Sequence, residues 1–227
     1  MTNQSKQKVH AARKAIEYVE DGMVLGLGTG STMDVFLDLL GERVQAGLQI
    51  KGVPTSVKTE QKAKQLGIPL TTLSDHPKLD LAFDGADEID PDFQLTKGGG
   101  GSLLREKMVD VTAKQFIVVA DESKMVNQLG AFPLPVEVVK FGWDSIREQL
   151  EALGCDAVLR EVDGLPFETD NDQFIIDCHF HQIENPHMLR DQIKSIVGVV
   201  EVGLFLDMTD IVLVGVDEEV IIYEKGV

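Results

Sequence analysis

Positive charge is scarce in this chain: 21 lysines and arginines stand against 38 aspartates and glutamates, for a formal net charge of −17. A surface that acidic repels nucleic acid and anionic lipid, so the expected partner is neither DNA, RNA nor a membrane. An anionic ligand would have to be held by local lysines and backbone amides against the field of the whole molecule. Cysteine is just as scarce. Cys155 and Cys178 are the only two, and neither has metal or redox spacing, so both are expected as buried, reduced thiols of a cytoplasmic protein. Long apolar runs are missing too. No stretch reaches the roughly 20 residues of a membrane helix, and the opening MTNQSKQKVHAARKAIEYVE lacks the apolar core of a signal peptide. Internal repeats and low-complexity tracts are also lacking. A chain of 227 residues can form one large domain, or a medium one with a small companion.

Apolar periodicity then divides the chain. Val9, Ala12, Ile16 and Val19 lie at helical spacing over residues 6–20. A buried strand is expected at 23–27, then GLGTGST, then a helix carrying Val35, Phe36, Leu39 and Leu40. Strands at 48–53, 69–73, 79–83 and 116–120 alternate with helices ending near Leu66 and covering 102–114. Alternation of this kind predicts an α/β fold with a mainly parallel, Rossmann-like sheet flanked by helices. At AFPLPVEVV two prolines interrupt an extended run and the order changes. Strand 134–140, helix 143–153, strands 156–162 and 173–180, helix 187–196 and strand 199–206 follow, the βαββαβ order of a smaller α+β domain. The expected division is residues 1–130 plus 208–227 for the larger domain and 131–207 for the smaller.

The densest chemistry runs from Asp84 to Lys107: DGADEID, a lysine, four glycines, then a glutamate at a helix start. Gly98, Gly99, Gly100 and Gly101 cost roughly 1 kcal/mol each against alanine in an ordered setting. Such a loop suits close approach of ligand oxygens to main-chain amides. Ser102 is the expected N-cap of the next helix, with Leu104, Met108 and Val111 as its apolar stripe. Glu106 stands about 200° round the helix from Leu104, away from that stripe and close to the glycines, where a base could act. Asp84 and Asp87 end a strand, and Gly85 and Ala86 between them permit close backbone approach. Thr29, Gly30, Ser31 and Thr32 form a turn between strand and helix, where amides and the helix dipole attract anions. Lys124 follows the strand ending at Ala120. In an open parallel sheet these strand ends share one edge, at which ligands bind.

Together these segments resemble the type A ribose-5-phosphate isomerases. The likeness rests on GLGTGST, DGADEI, KGGGG followed by LxxEK, ADESK, FPLPVEV and VGLF, and it runs in order along nearly the whole chain. It implies interconversion of ribose 5-phosphate and ribulose 5-phosphate through an enediolate, within the non-oxidative pentose phosphate branch, and without metal or organic cofactor. Carried over, Glu106 shuttles the proton between C1 and C2, and Lys97 stabilises the negative charge that develops on the sugar oxygens. Asp84 and Asp87 bind sugar hydroxyls and assist ring opening. Thr29, Gly30, Ser31, Thr32 and Lys124 hold the substrate around its phosphate, with Lys8 a weaker candidate. The remaining substrate contacts fall to Gly85, Ala86, Gly98, Gly99 and Gly100. The resemblance also implies a homodimer, with a tetramer as the alternative. The segment KGVPTSV at 51–57 receives no role.

The residue types suit the chemistry apart from the family. A proton alpha to a carbonyl needs a poised base and a stabilised enediolate together. Two other classes compete. A sugar-phosphate sensor would share the architecture but would not need Glu106. An NAD-dependent oxidoreductase would use the glycine turn and an acidic residue about 20 positions on, for which Asp38 and Glu42 are the available carboxylates. His179, His181 and His187 raise a metal site, but no acidic or thiol partner completes a tetrahedral set in the sequence.

Overall fold

The computed structural model describes residues 2–225; residue 1 and residues 226–227, the outermost parts of the expected larger domain, lie outside the described residues. The chain forms two compact units. The first contains the residues up to Ala86, Arg105–Met125 and the residues from Met208 onward, and the second Asp87–Leu104 and Val126–Asp207.

The first unit opens with α1 (Asn3–Ile16), capped by Thr2, whose side chain accepts a hydrogen bond from the Ser5 amide. β1 (Val24–Leu27), α2 (Ser31–Gln45), β2 (Lys51–Pro54), α3 (Val57–Gln65) and β3 (Leu79–Asp84) follow. The sheet order is β2, β1, β3, then the strand Ala113–Asp121, then Ile211–Val216 and the edge strand Glu219–Glu224. The first five run parallel and the last antiparallel. Alternation explains the layering. Leu25, Leu27, Leu81, Phe83, Ile117, Val119 and Leu213 turn to one face and form a core with Ala11, Ala12, Phe36, Leu37 and Leu40 of α1 and α2. Gly26 and Ala82 turn to the other face. There a Cβ on Gly26 would stand 2.6 Å from Val109 Cγ1, so a glycine is what lets the helix bearing Val109 lie against the sheet.

One expected strand is not formed. Residues 69–73 contribute only a single bridge, Gly52 to Leu70, although the Gly52 amide donates to the Pro69 carbonyl at 2.8 Å and its carbonyl accepts from the Thr71 amide at 2.9 Å. Thr72 then turns the chain away by bonding Asp75.

The second unit holds β4 (Glu88–Ile89) and β5 (Leu95–Thr96), with α4 (Leu103–Asp110) beginning at its end and continuing into the first unit, where β6 (Ala113–Asp121) follows. Next come β7 (Leu134–Val138), α5 (Trp143–Glu151), β8 (Asp156–Leu159), β9 (Glu161–Val162), β10 (Leu165–Pro166), β11 (Phe174–His179), α6 (Pro186–Lys194), β12 (Val199–Val202) and β13 (Leu204–Phe205). β14 (Ile211–Val216) and β15 (Glu219–Glu224) are the two strands that complete the first sheet. An antiparallel sheet, β12-β7-β11-β8, packs Leu134, Val136, Val138 and Ile176 against Ile146, Leu150, Leu189 and Ile193 of α5 and α6. Cys155 and Cys178 are buried here without a disulfide.

Three boundaries depart from the sequence reading. Segments 87–104 and 126–130 belong to the second unit, not to the expected 1–130. The cause is a small sheet, β13-β5-β4, together with the Val126 amide, which donates to Ile89 O at 2.9 Å. The expected strand 156–162 is two short strands, β8 and β9. The expected strand 199–206 is split at Gly203, so that β12 pairs with β7 and β13 with β5. A Cβ on Gly203 would lie 2.3 Å from Lys97 O; the missing side chain is what lets the strand change sheets. Among the described residues no helix is long and apolar enough to cross a membrane.

Candidate active site

In the first unit the sheet order places β1 between β2 and β3, so the chain leaves β1 in opposite directions and a crevice opens at the C-terminal ends of β1 and β3. Gly28 and Asp84 meet there. The Gly28 amide donates to Phe83 O at 2.9 Å. Asp84 Oδ1 accepts from the amides of Thr29, at 3.1 Å, and Gly85, at 2.7 Å. The carboxylate is fully buried and thereby positioned by backbone on both sides.

Gly30, at φ 121°, is the N-cap of α2 and brings no side chain to cap it. The first-turn amides of α2 therefore receive no side-chain cap from Gly30, which suits an anion site. Ser31 is exposed and Thr32 buried. Lys8 reaches Ser31 Oγ at 2.9 Å and lies 3.9 Å from the buried carboxylate of Asp121. Lys124 sits in the 3-10 turn Glu122–Lys124 at the end of β6, a turn held by Asp121, whose carboxylate accepts from the Ser123 amide at 3.1 Å. Thr29, Gly30, Ser31, Thr32, Asp84, Gly85, Ala86, Lys124 and Lys8 thus belong to the first unit, with the loops after β1, β3 and β6 on one edge.

Segment 51–57, given no role from the sequence, supports this edge. Thr29 Oγ1 lies 2.8 Å from both Thr55 Oγ1 and Ser56 Oγ and 3.0 Å from Thr59 Oγ1, and Thr59 Oγ1 donates to Gly28 O at 2.9 Å. A threonine–serine pair just past a strand was the available signal. β2 ends at Pro54 without a carboxylate, while Asp38 and Glu42 lie inside α2, and Asp38 pairs with Lys62 at 2.9 Å. Neither stands where a dinucleotide ribose would need it.

Glu106 is in the first turn of α4 and only 3% exposed. The face of α4 differs from expectation. Leu103, Glu106, Val109 and Asp110 are buried, whereas Met108 and Val111 are exposed. Met108 lines an open cavity of 370 Å³ with Val53, Pro54, Leu70 and Leu73. The i, i+3 repeat carrying the buried carboxylate, not the Leu104–Met108–Val111 stripe, is what packs.

In the second unit, Asp87 Oδ2 accepts from the Gly99 amide at 2.8 Å, and the Asp87 amide donates to Thr96 O at 2.9 Å. Lys97 follows β5, is 3% exposed, and holds its Nζ 5.2 Å from the centroid of the Phe205 ring. Its amide donates to Gly203 O at 2.8 Å. Gly98 and Gly101 have positive φ of 103° and 85°, which only glycine adopts readily. Gly99 and Gly100 are exposed. Glu88, beside Asp87, accepts from the amides of Gly130 and Phe132 at 2.8 Å each. The sequence reading missed Arg160, which donates to Gly98 O at 2.9 Å and Gly99 O at 3.2 Å. His187 pairs with Asp207 at 2.8 Å, and among the described residues no group of three or more His, Cys, Asp and Glu could hold a metal.

The sequence profile of ribose 5-phosphate isomerase A (phosphoriboisomerase A) matches residues 51–219. The chain belongs to this family. The ribose-5-phosphate isomerase A of Bacillus mycoides is 51% identical over 206 residues, covering 90% of this chain and 93% of that protein. The solved ribose 5-phosphate isomerase A of Methanocaldococcus jannaschii superposes with a TM-score of 0.93 at 42% identity, over 99% of this chain and 100% of the other. A D-ribose-5-phosphate isomerase solved in complex with phospho-erythronic acid gives a TM-score of 0.94 at 41% identity, over 99% of this chain and 100% of the other. Of the four ionisable candidates, Asp84 and Glu106 are buried in the first unit, while Lys97, buried, and Asp87, half-buried, lie in the second beside the glycine run in sequence.

Proposed function

We propose that this protein interconverts D-ribose 5-phosphate and D-ribulose 5-phosphate as an aldose–ketose isomerase, with Glu106 as the base. Within the family frame, the observation that carries the reading is the burial of Glu106, 3% exposed in the first turn of α4. A carboxylate with no structural use in water would face outward on a helix; one withdrawn from water keeps the basicity that hydration blunts. In the open-chain aldose, Glu106 takes the proton from C2. Electron density moves onto O1, giving a 1,2-enediol(ate). The same carboxylate returns its proton to C1 while the O2 proton is lost and O1 gains one, so the ketose forms with no net redox change and no cofactor.

Lys97 and the amides of the glycine run stabilise the oxygen on which charge accumulates. Asp84 and Asp87 hold sugar hydroxyls and carry protons during ring opening. Thr29, Gly30, Ser31, Thr32 and Lys124 bind the phosphate end, with Lys8 behind Ser31; Gly85, Ala86, Gly98, Gly99 and Gly100 offer backbone contacts. The structure with phospho-erythronic acid concerns a related isomerase, and it favours a phosphorylated sugar as the ligand class here. The same reading places the protein in the non-oxidative pentose phosphate branch, as a cytoplasmic homodimer.

The deciding experiment is ribulose 5-phosphate formation in EDTA, with Glu106→Gln beside wild type. The expected result is metal-independent turnover, a loss of at least ~10²-fold in kcat for the variant and a modest change in KM. Near-full activity in the variant refutes the base. An inactive wild type whose Tm rises with ribose 5-phosphate points instead to a sensor.

A further inference from the structure

We infer that Arg160 is a positioning residue that aims the backbone amides of the glycine run. The inference rests on the isomerase reading and extends it to a side chain outside the catalytic set.

The argument begins with the peptide plane. Trans peptides set C=O and N–H antiparallel, and none of the described peptides is cis. Arg160 Nη1 donates to Gly98 O at 2.9 Å and to Gly99 O at 3.2 Å. Both carbonyls therefore face the guanidinium, and both amides of the same peptides, those of Gly99 and Gly100, face away from it. The Gly99 amide meets Asp87 Oδ2 at 2.8 Å. The Gly100 amide is turned to the same side on an exposed residue, where a Cβ would meet nothing within 4 Å. The Gly99 N–H is taken by Asp87, so the Gly100 N–H is the donor on that side that an oxyanion can use.

Arg160 is itself fixed. Its Nε donates to Asp177 Oδ2 at 2.8 Å and its Nη2 to Asp177 Oδ1 at 2.5 Å, a two-point fork, and the side chains are only 14% and 20% exposed. Its guanidinium carbon stands 5.9 Å from the centroid of Phe167, the ring that a Cβ on Gly101 would strike at 2.4 Å. The Gly101 amide closes the turn on Gly98 O at 3.0 Å; Arg160 adds a side-chain hold on both Gly98 O and Gly99 O, without which the glycine peptides would sample more orientations and the Gly100 donor would be lost to that averaging. Lysine cannot replace the fork, because it offers one point charge where two carbonyls and a carboxylate need planar donors.

The test compares wild type, Arg160→Ala, Arg160→Lys and Asp177→Asn by kcat, KM and thermal melting, with guanidinium added to the alanine variant. Glycine-labelled protein reports amide hydrogen exchange at Gly99 and Gly100. For Arg160→Ala the expected result is a kcat loss of about 10²-fold, the usual cost of one oxyanion donor, with KM within about threefold. Guanidinium restores part of kcat, Arg160→Lys restores less, and exchange at Gly99 accelerates at least about tenfold. Unchanged kcat overturns the inference, and so does a loss that guanidinium leaves untouched. Should Arg160→Ala not fold, Asp177→Asn decides: a kcat fall at constant KM upholds the positioning role, and unchanged kcat overturns it. Wild-type inactivity refutes the isomerase reading, whereas unaltered exchange at Gly99 in Arg160→Ala refutes the clamp.

Discussion

Replacing Gly28 with alanine tests whether the Asp84 carboxylate works only where the backbone puts it. An added Cβ would stand 2.3 Å from Asp84 Oδ1, 2.4 Å from its Cγ and 2.5 Å from Phe83 O, against 3.4 Å or more for an ordinary contact. Relief therefore needs a displacement of roughly 1 Å, and the backbone carbonyl cannot yield as a flexible side chain would. Two hydrogen bonds span the gap: Thr29 N–H to Asp84 Oδ1 at 3.1 Å and Gly28 N–H to Phe83 O at 2.9 Å. A bond to a charged group contributes about 1.5–3 kcal/mol and a neutral one about 1, so the expected destabilisation is about 2.5–4 kcal/mol. At ~2–4 °C per kcal/mol for a chain of this size, Tm should fall by roughly 5–15 °C. A 1 Å misplacement of a positioning group costs about 10²-fold, which sets the expected loss in kcat/KM for ribose 5-phosphate. Gly22→Ala is the control: it has φ 86° and nothing within 4 Å of a new Cβ, so it bears only left-handed strain of about 1–2 kcal/mol and should leave kcat/KM alone. If Gly28→Ala keeps kcat/KM within twofold and Tm within about 2 °C of wild type, the reasoning fails.

Two further outcomes are expected. Gly100→Ala should melt like wild type, because its Cβ enters open space, yet lower kcat about tenfold with little change in KM by shielding the amide from the developing oxyanion; unchanged kinetics mean that substrate does not approach there. Asp80 is held below the ordinary carboxylate range by the hydrogen bond from Lys114 and then by the amide of Val24. A lowered folded pKa gives stability that is present above the unfolded value of about 3.9 and is lost as pH falls through the folded value. Urea midpoints of wild type and Asp80→Asn should therefore differ at pH 6 and converge in acid, and a gap constant with pH contradicts the assignment.

Much of the candidate site could be proposed from the sequence because its residue types are local in the chain. Asp84, Lys97 and Glu106 are polar residues surrounded by strand ends and glycines, and all three are buried. The parallel sheet was legible for a similar reason, since buried strands read as apolar runs bounded by turns. The face of α4 was not. Periodicity favoured Leu104, Met108 and Val111, but a buried glutamate on the same helix as an exposed methionine inverts the apolar rule, as functional positions often do. Segment 51–57 was passed over because hydroxyls that hold another hydroxyl carry no pattern in one dimension.

The sequence by itself determined the class of chemistry and the parallel architecture, because carboxylates, a lysine and glycines at fixed spacing, and apolar runs of strand length, act through neighbours a few residues away. It could not place the boundary between the two units. That depended on Glu88 reaching the amides of Gly130 and Phe132 and on β13 returning to β5 across more than 100 residues, pairings whose free energy appears only when distant segments meet. Arg160 shows the same limit: an arginine in a short strand connection becomes the anchor of the glycine run only because the fold brings it to two carbonyls some 60 residues away. Local spacing specifies which groups are present; long-range packing decides which way their peptides face.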